Sequence, residues 1–369
     1  MRILFTRFPL ESARGGAEIQ TLSLMKGLRE RGHAVAFLGS CPVLLEETAN
    51  ARLIHAELDI GPPPVTKSSV MSFVWRKRKM QRRLESALSA FGDVDAILML
   101  SLSEKLLLTE TAVAKGIKVF WIEHDRVGPW LRKNPWLSQL RTLSEKVKTI
   151  CVSELSRKIY LDLGWKPERV IAIPNGIDFN RFSGPGQGPG AGPGFKIGCI
   201  ARLSPEKGVD VLVQAVAKIP DTDLTIVGTG PDENYLRQLM NQIHAGEMLD
   251  RERIWILHTV DDLGAFYHSI DALVLPSRDN DPFGLVAAEA MACGTPVIVT
   301  DQCGIAGYLR DGTDAVIVKA DSDASLVGGI RRMTDRPLRE RLRSEGLRTA
   351  KEKFSADRMV DTYAKLIAE

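Results

Sequence analysis

The sequence lacks most of what would set it apart from ordinary globular proteins. Its five cysteines, Cys41, Cys151, Cys199, Cys293 and Cys303, are scattered, odd in number and never spaced CxxC. That spacing offers neither a disulfide framework nor a zinc site, and it fits a reducing compartment. An excess of one charge is also missing: 49 basic and 46 acidic residues leave a net charge of +3. So even a balance argues against a nucleic-acid protein, and no nucleic acid is expected as a partner. No apolar run approaches the ~20 residues of a membrane span. The opening MRILFTRFPL is too short and too charged to read as a signal peptide. A cytoplasmic protein is expected, with peripheral contact at the inner face of a membrane left open. Low-complexity sequence is confined to SGPGQGPGAGPG at 183–194, where alternating Gly and Pro permit neither helix nor strand. It reads as a flexible connection opening a second domain, or else as an inserted surface loop.

What is present is a soluble composition, 44% hydrophobic and 26% charged, in 369 residues. That length suits two α/β domains, each able to bury a core without staples. Short apolar runs recur along it. Strands are expected at 3–8, 34–39, 96–100, 119–123 and 149–153, then at 196–202, 224–228, 253–257, 272–277 and 296–300. Helical patterns such as 17–33 and 208–219 lie between them. Strand–helix alternation of this kind predicts parallel sheets with covered faces, in number enough for two. The end, FSADRMVDTYAKLIAE, reads as an amphipathic helix with Phe354, Met359, Tyr363 and Leu366 on one side.

In such sheets ligands bind beyond the carboxyl ends of the strands, so chemistry should follow strands directly. After KIGCIAR comes LSPEKG, which sets Arg202 and Lys207 five residues apart across a turn. Two cations there can hold a diphosphate, Arg as a fork and Lys as a point charge, or can simply face solvent. Gly228 and Gly230 follow LTIV, either for close backbone approach or for a plain turn. They do not complete GxGxxG, so a nicotinamide site is weakly supported. GGAE at 15–18 opens a helix where Gly15 and Gly16 can bring backbone N–H groups to a phosphate. DPFGLVAAEAMACGTPVIV at 281–299 is the most informative stretch. Asp281 is expected as N-cap and Pro282 at the first helical position. Glu289, set among alanines, is not a core-filling residue. On one helix the two acids would lie ~12 Å apart along the axis and about 80° apart around it. The amides of Phe283, Gly284 and Leu285 would point at a ligand. A carboxylate suits the vicinal hydroxyls of a ribose. One acid for a ribose, one for a second sugar and cations for the bridge describe a nucleotide-sugar.

The runs IPNGIDFNRF (173–182), IARLSPEKGVDVLVQAV (200–216), LTIVGTGP (224–231), LVLPSRDNDPFGLVAAEAMACGTPVIVTD (273–301) and YLRDGTDAVIV (308–318) resemble the retaining family 4 glycosyltransferases. The resemblance implies the α/β GT-B architecture: two Rossmann-like, doubly wound parallel-sheet domains facing across a cleft. The implied domains are 1–178 for the acceptor and 179–352 for the donor, with 353–369 crossing back to the first. It also implies site residues. Glu289 binds the ribose hydroxyls, and Asp281 contacts the donor sugar. This chain departs from the family there, with Asp for Glu, and the shorter acid is expected to alter donor choice or slow transfer. Arg202 and Lys207 hold the diphosphate, and Gly16 lies near a phosphate. Phe283, Gly284 and Leu285 offer backbone donors, and Val260 lies near the base. His124, in WIEHDR, matches a histidine near the donor sugar; its alternative is a satisfied histidine at a domain edge.

The implied reaction is transfer with retention, from a UDP- or GDP-sugar to a glycan or lipid-linked acceptor, in cell-surface polysaccharide or glycolipid assembly. The leaving phosphate would deprotonate the acceptor, so no protein base, metal or further cofactor is expected. DVD (93–95), DTD (221–223) and DND (279–281) imitate a metal motif, but the first two precede strands. A non-catalytic nucleotide-binding subunit of the same fold, or a nucleotide-sugar 2-epimerase, are the competing readings. Residues 75–83, WRKRKMQRR, carry six basic residues interleaved with Phe73, Val74, Trp75, Met80 and Leu84. They read as a basic amphipathic helix on anionic lipid through residues 73–84, or as a solvated face. Trp130 and Trp136 line an acceptor cleft, touch membrane or merely pack.

Overall fold

The computed structural model describes residues 1–9, 15–125, 130–182, 194–245 and 253–369. The Gly/Pro segment 183–193 therefore lies outside the described residues. The chain divides into two compact units, Met1–Gly176 with Ala356–Glu369, and Ile177–Ser355.

The first unit alternates β1 (Arg2–Arg7), α1 (Gly16–Glu30), β2 (Ala34–Gly39), α2 (Pro42–Asn50), β3 (Ile54–Glu57), α3 (Lys67–Ala90), β4 (Ala96–Met99), α4 (Leu102–Ala114), β5 (Lys118–Glu123), α5 (Leu137–Ser144), β6 (Lys148–Cys151), α6 (Glu154–Asp162) and β7 (Val170–Ala172). Among the described residues these strands form one parallel sheet in the order β3-β2-β1-β4-β5-β6-β7. Alternate residues of one strand enter different cores: Leu4 packs with Trp121 and Phe73, whereas Ile3 and Phe5 pack with Phe37 and Tyr363. Side chains of period two feeding two cores mean that both faces of the sheet are covered, the reason for its continuous apolar strands. The order reverses between β1 and β4, whose register pairs Ile3 with Ala96 and Thr6 with Met99.

The second unit runs β8 (Phe195–Ile200), α7 (Val209–Ala217), β9 (Thr222–Val227), α8 (Glu233–Ala245), β10 (Ile254–Leu257), α9 (Leu263–Ser269), β11 (Ala272–Leu275), α10 (Leu285–Ala292), β12 (Val297–Thr300), β13 (Val316–Val318), α11 (Asp323–Thr334) and α12 (Arg336–Lys353). Its parallel sheet is ordered β10-β9-β8-β11-β12-β13, reversing between β8 and β11. The chain then returns to the first unit with α13 (Ala356–Ala368). On α13 the buried residues are Met359, Val360, Tyr363 and Ile367, so Ile367 rather than Leu366 completes the apolar side.

The strands β3, β7 and β13 are short elements that the apolar runs did not mark. Ile54 of β3 is exposed, and β7 and β13 are three residues long, too short for a pattern. No helix among the described residues is long and apolar enough to cross a membrane.

Candidate active site

The strand order reverses between β8 and β11, and the carboxyl ends of strands at such a reversal are the usual ligand position in open α/β sheets. Arg202 and Lys207 follow β8, and the stretch from Ser277 to Leu285 follows β11. Arg202 is exposed and has no side-chain partner among the described residues. Its loop is held from below by Gly228 and Gly230. Leu203 N donates to Thr229 O at 2.9 Å, and Asp232 N donates to Leu203 O at 2.9 Å. A Cβ on Gly228 or Gly230 would collide with the carbonyl oxygens of Ala201 or Leu203. These glycines therefore serve close backbone approach, the first of the two readings offered by the sequence.

Lys207 Nζ donates to Asp281 Oδ2 at 2.7 Å, and Ser277 Oγ donates to the same oxygen at 3.1 Å. Asp281 is only 7% exposed, so its charge is compensated where water is scarce. Burial pulls the Lys207 ammonium down, but Asp281 raises it further, leaving it above the usual lysine value.

Asp281 is not the helix cap that the sequence suggested. The helix α10 starts at Leu285, with Gly284 as N-cap in the left-handed region at φ 93°. Asp281 instead makes a parallel bridge with Cys303, its N–H donating to Gln302 O at 2.9 Å. The cause is twofold: the left-handed turn at Gly284 puts the helix start three residues later, and Lys207, distant in sequence, occupies the carboxylate. Pro282 is accordingly outside the helix, and the 80° argument from one shared helix does not apply. One acid stands on the loop and the other on the helix.

The Phe283 ring is buried against Phe354 and Tyr308, which anchors the loop. The amides of Phe283, Gly284 and Leu285 have no acceptor among the described residues. Unpaired N–H groups at a helix start favour an anion or a sugar oxygen. Glu289, 6% exposed, accepts from the Tyr267 hydroxyl at 2.7 Å through Oε2, while Oε1 has no partner among the described residues. Burial raises its carboxyl above the ordinary range, against the Tyr267 bond and the nearby Arg181, which lower it. Val260 is half-buried in the loop between β10 and α9. Tyr267, Ser277 and Arg181 were not singled out from the sequence. Each acts on a site acid through space, and nothing in its neighbouring residues signals that.

Gly16 and His124 belong to the first unit. Gly16 is the first residue of α1, with Gly15 as N-cap. His124 follows β5, and both its ring nitrogens are buried without a partner among the described residues. It is not a satisfied histidine. Burial, and then Arg7, lower it to about 4, so the ring is neutral at pH 7. Among the described residues no group of three His, Cys, Asp or Glu side chains is placed to hold a metal ion.

Two doubly wound parallel sheets, one with acids, cations and unpaired amides at its switch point, define an α/β protein of two Rossmann-like units. Residues 14–181 match the family model "Glycosyltransferase Family 4" and residues 189–349 the model "Glycosyl transferases group 1". The chain belongs to the family 4 glycosyltransferases of the GT-B fold. It is 30% identical to a D-inositol 3-phosphate glycosyltransferase of Salinispora tropica over 55% of this chain. It spans about half the length of that relative, 47%. It is 26% identical to the lipopolysaccharide core biosynthesis glycosyltransferase LpsD of Rhizobium meliloti, over 99% of this chain and 98% of the relative. Its fold is shared with Anabaena HepE, solved in complex with UDP, at a TM-score of 0.83 and 19% identity over the whole of both chains.

Proposed function

We propose that this chain is a retaining glycosyltransferase. It moves a sugar from a nucleotide diphosphate sugar to a glycan or lipid-linked acceptor, in glycolipid or cell-surface polysaccharide assembly. The observation that carries the reading is Glu289, a buried carboxylate with one oxygen held by Tyr267 and one left to accept from a ribose diol. Such a group costs stability unless a ligand uses it. Arg202 and Lys207 take the diphosphate, and Asp281 exchanges its Lys207 contact for a hydroxyl of the donor sugar. The unpaired amides of Phe283, Gly284 and Leu285 receive sugar or phosphate oxygens. Val260 lies toward the base and Gly16 toward a phosphate, by the family resemblance. His124, neutral, offers the donor sugar a hydrogen bond and not a charge.

Transfer gains its rate from positioning and from charge stabilisation on the leaving diphosphate. Arg202 and Lys207 supply that positive charge, so the reaction runs without metal or further cofactor, and the leaving phosphate takes the acceptor's proton. The HepE complex with UDP makes UDP the first nucleotide to test. The experiment is a thermal-shift screen against UDP, GDP, ADP and their sugar conjugates in EDTA. One nucleotide family should raise the melting point in proportion to its affinity. No shift from any of them overturns the donor site. A shift without donor hydrolysis or transfer favours the non-catalytic subunit instead.

Contact with an anionic membrane is part of the proposal, and α3 supports it. Of its basic run, Arg76 turns inward to Ile60 O at 3.0 Å, and Lys77 lies 4.8 Å over the Trp136 ring. Phe73, Met80 and Leu84 are also buried, so they belong to the core and not to an outward apolar stripe. What faces out is Met71, Val74 and Trp75 with Arg78, Lys79, Arg82 and Arg83. Trp75 is 86% exposed.

A further inference from the structure

The first unit has its own switch point, between β1 and β4, and a cavity of 460 Å³ opens beside it. That volume lies within the ~300–1,000 Å³ of small-ligand pockets. Its lining includes the aromatic side chains of Phe8, Trp121, Trp130, Tyr160 and Trp165. It also includes charged groups: Arg7 at the end of β1, Lys105 on α4, and Glu123, which is hydrogen-bonded to Tyr160, and Asp125 at and just after the end of β5. Apart from the effect of Arg7 on His124, none of these charged groups has been given a role above.

Two features of this lining point to a ligand. The first is unpaired donors. Arg7 is 4% exposed, and its Nε and Nη1 are buried without a partner among the described residues. Trp165, also 4% exposed, leaves its indole N–H equally unpaired. A folded protein rarely buries three idle donors, because each forfeits a hydrogen bond with water. An occupant with acceptor oxygens would satisfy them.

The second feature is charge. Arg7 already pairs with Glu18 at 2.7 Å and lies 3.8 Å from Asp125. Lys105 pairs with Glu123 at 2.8 Å and also donates to Ile122 O at 3.2 Å. Among the described residues both lining cations are thus already paired with carboxylates, Arg7 with Glu18 and Asp125 and Lys105 with Glu123, so neither offers an uncompensated charge to an anion. A phosphate entering here would meet Glu123 and Asp125. A sugar hydroxyl fits both sides of each pair, since it accepts from the cation and donates to the carboxylate. The C–H faces of a sugar ring suit the aromatic side chains in the lining.

We propose that this cavity seats the acceptor, and that the residue it holds is an uncharged sugar ring and not a phosphorylated one. This rests on the transferase reading, and it departs from the phosphorylated inositol in the name of the Salinispora relative. Trp130, exposed in part at the rim, is the platform for the ring. Lys105 and Glu123 read its hydroxyls, and Arg7 and Trp165 donate to its oxygens.

The test titrates the full chain with methyl glycosides of glucose, galactose, mannose and N-acetylglucosamine. Glucose 6-phosphate and mannose 6-phosphate serve as charged counterparts. Saturation-transfer NMR reads binding to the ligand, and tryptophan fluorescence reads the lining. At least one neutral glycoside should bind, and its phosphorylated counterpart should bind about tenfold more weakly or not at all. Trp130→Ala should weaken the neutral ligand by about tenfold. Trp165→Phe keeps a ring but removes the donor, and it should weaken binding severalfold. Tighter binding of the sugar phosphate, no binding by any glycoside, or indifference to both substitutions overturns the proposal. The nucleotide thermal shift, measured on the same samples, belongs to the donor reading. If it persists while the glycosides fail, only the acceptor proposal falls.

Discussion

At the scale of single residues, the proposed donor site contains two buried acids, Asp281 and Glu289, held in different ways. Asp281 is neutralised by Lys207, whereas Glu289 has only a neutral hydroxyl from Tyr267 and a more distant cation, Arg181. A buried carboxylate with so little compensation binds its proton more tightly in the folded chain than in the unfolded one. The folded value is raised, so Glu289's favourable contribution is complete below the ordinary glutamate value of 4.5 and is lost as pH rises through the folded value. Glu289→Gln should therefore melt higher than the natural chain at pH 8, with the gap closing as pH falls toward 4.5. The same variant should lose nucleotide affinity by tenfold or more, about the worth of one charge-assisted bond. Melting curves at several pH values, each with and without nucleotide, check both parts. A variant that binds nucleotide normally would remove Glu289 from the ribose contact, whatever its stability.

At the scale of elements, α3 shows how a helix can be half core and half surface within one basic run. Its N-terminus is fixed by a capping box: Ser69 N donates to Thr66 Oγ1 at 3.2 Å, and Thr66 N donates to Ser69 Oγ at 2.9 Å. The outward residues then gather four cations around Trp75, each cation worth about 1 kcal/mol near an anionic leaflet. The full chain should sediment with vesicles containing phosphatidylglycerol and not with purely neutral ones. Trp75→Ala with Lys79→Glu should abolish that while leaving the nucleotide thermal shift intact. Binding indifferent to the pair, or equal on neutral vesicles, sinks the membrane contact. The sequence pattern located α3 but not its faces, because Arg76 and Lys77 look like their neighbours until Ile60 and Trp136 come into reach. The same limit explains α10. Its alanines and Glu289 were readable in order, but the helix start depended on a left-handed Gly284 and on Lys207 taking the Asp281 carboxylate, which is 74 residues away. The alternation of strands and helices was legible for the ten strands that are continuous apolar runs in parallel sheets, whereas β3, β7 and β13 are too short or too exposed to carry that signal. The cavity beside β1 was not legible. Its lining is drawn from separate stretches between Arg7 and Trp165, and only Trp130 had drawn attention.

At the scale of the whole molecule, the chain's order differs from the order of its folded units. The last helix, α13, follows the second unit in sequence but completes the core of the first. It buries Met359, Val360, Tyr363 and Ile367 there, and a side chain on Gly27 of α1 would collide with Val360. Arg31, at the end of α1, clamps it through Asp357 at 3.3 Å and Asp361 at 2.6 Å. Four buried side chains of this size represent about 6–12 kcal/mol of burial, an upper figure for area removed from water. That is comparable to the entire ~5–15 kcal/mol by which a domain is usually stable. A chain ended at Ser355 should therefore lose the first unit, while the second keeps Arg202, Lys207, Asp281 and Glu289. Differential scanning calorimetry should show one surviving transition, still raised by the nucleotide that stabilises the full chain. Limited proteolysis should cut freely between residues 1 and 176 and spare 177–355. If the shortened chain instead retains both transitions, α13 is only an accessory layer. If it retains neither, the second unit depends on the first, and the donor site does not fold as a unit of its own.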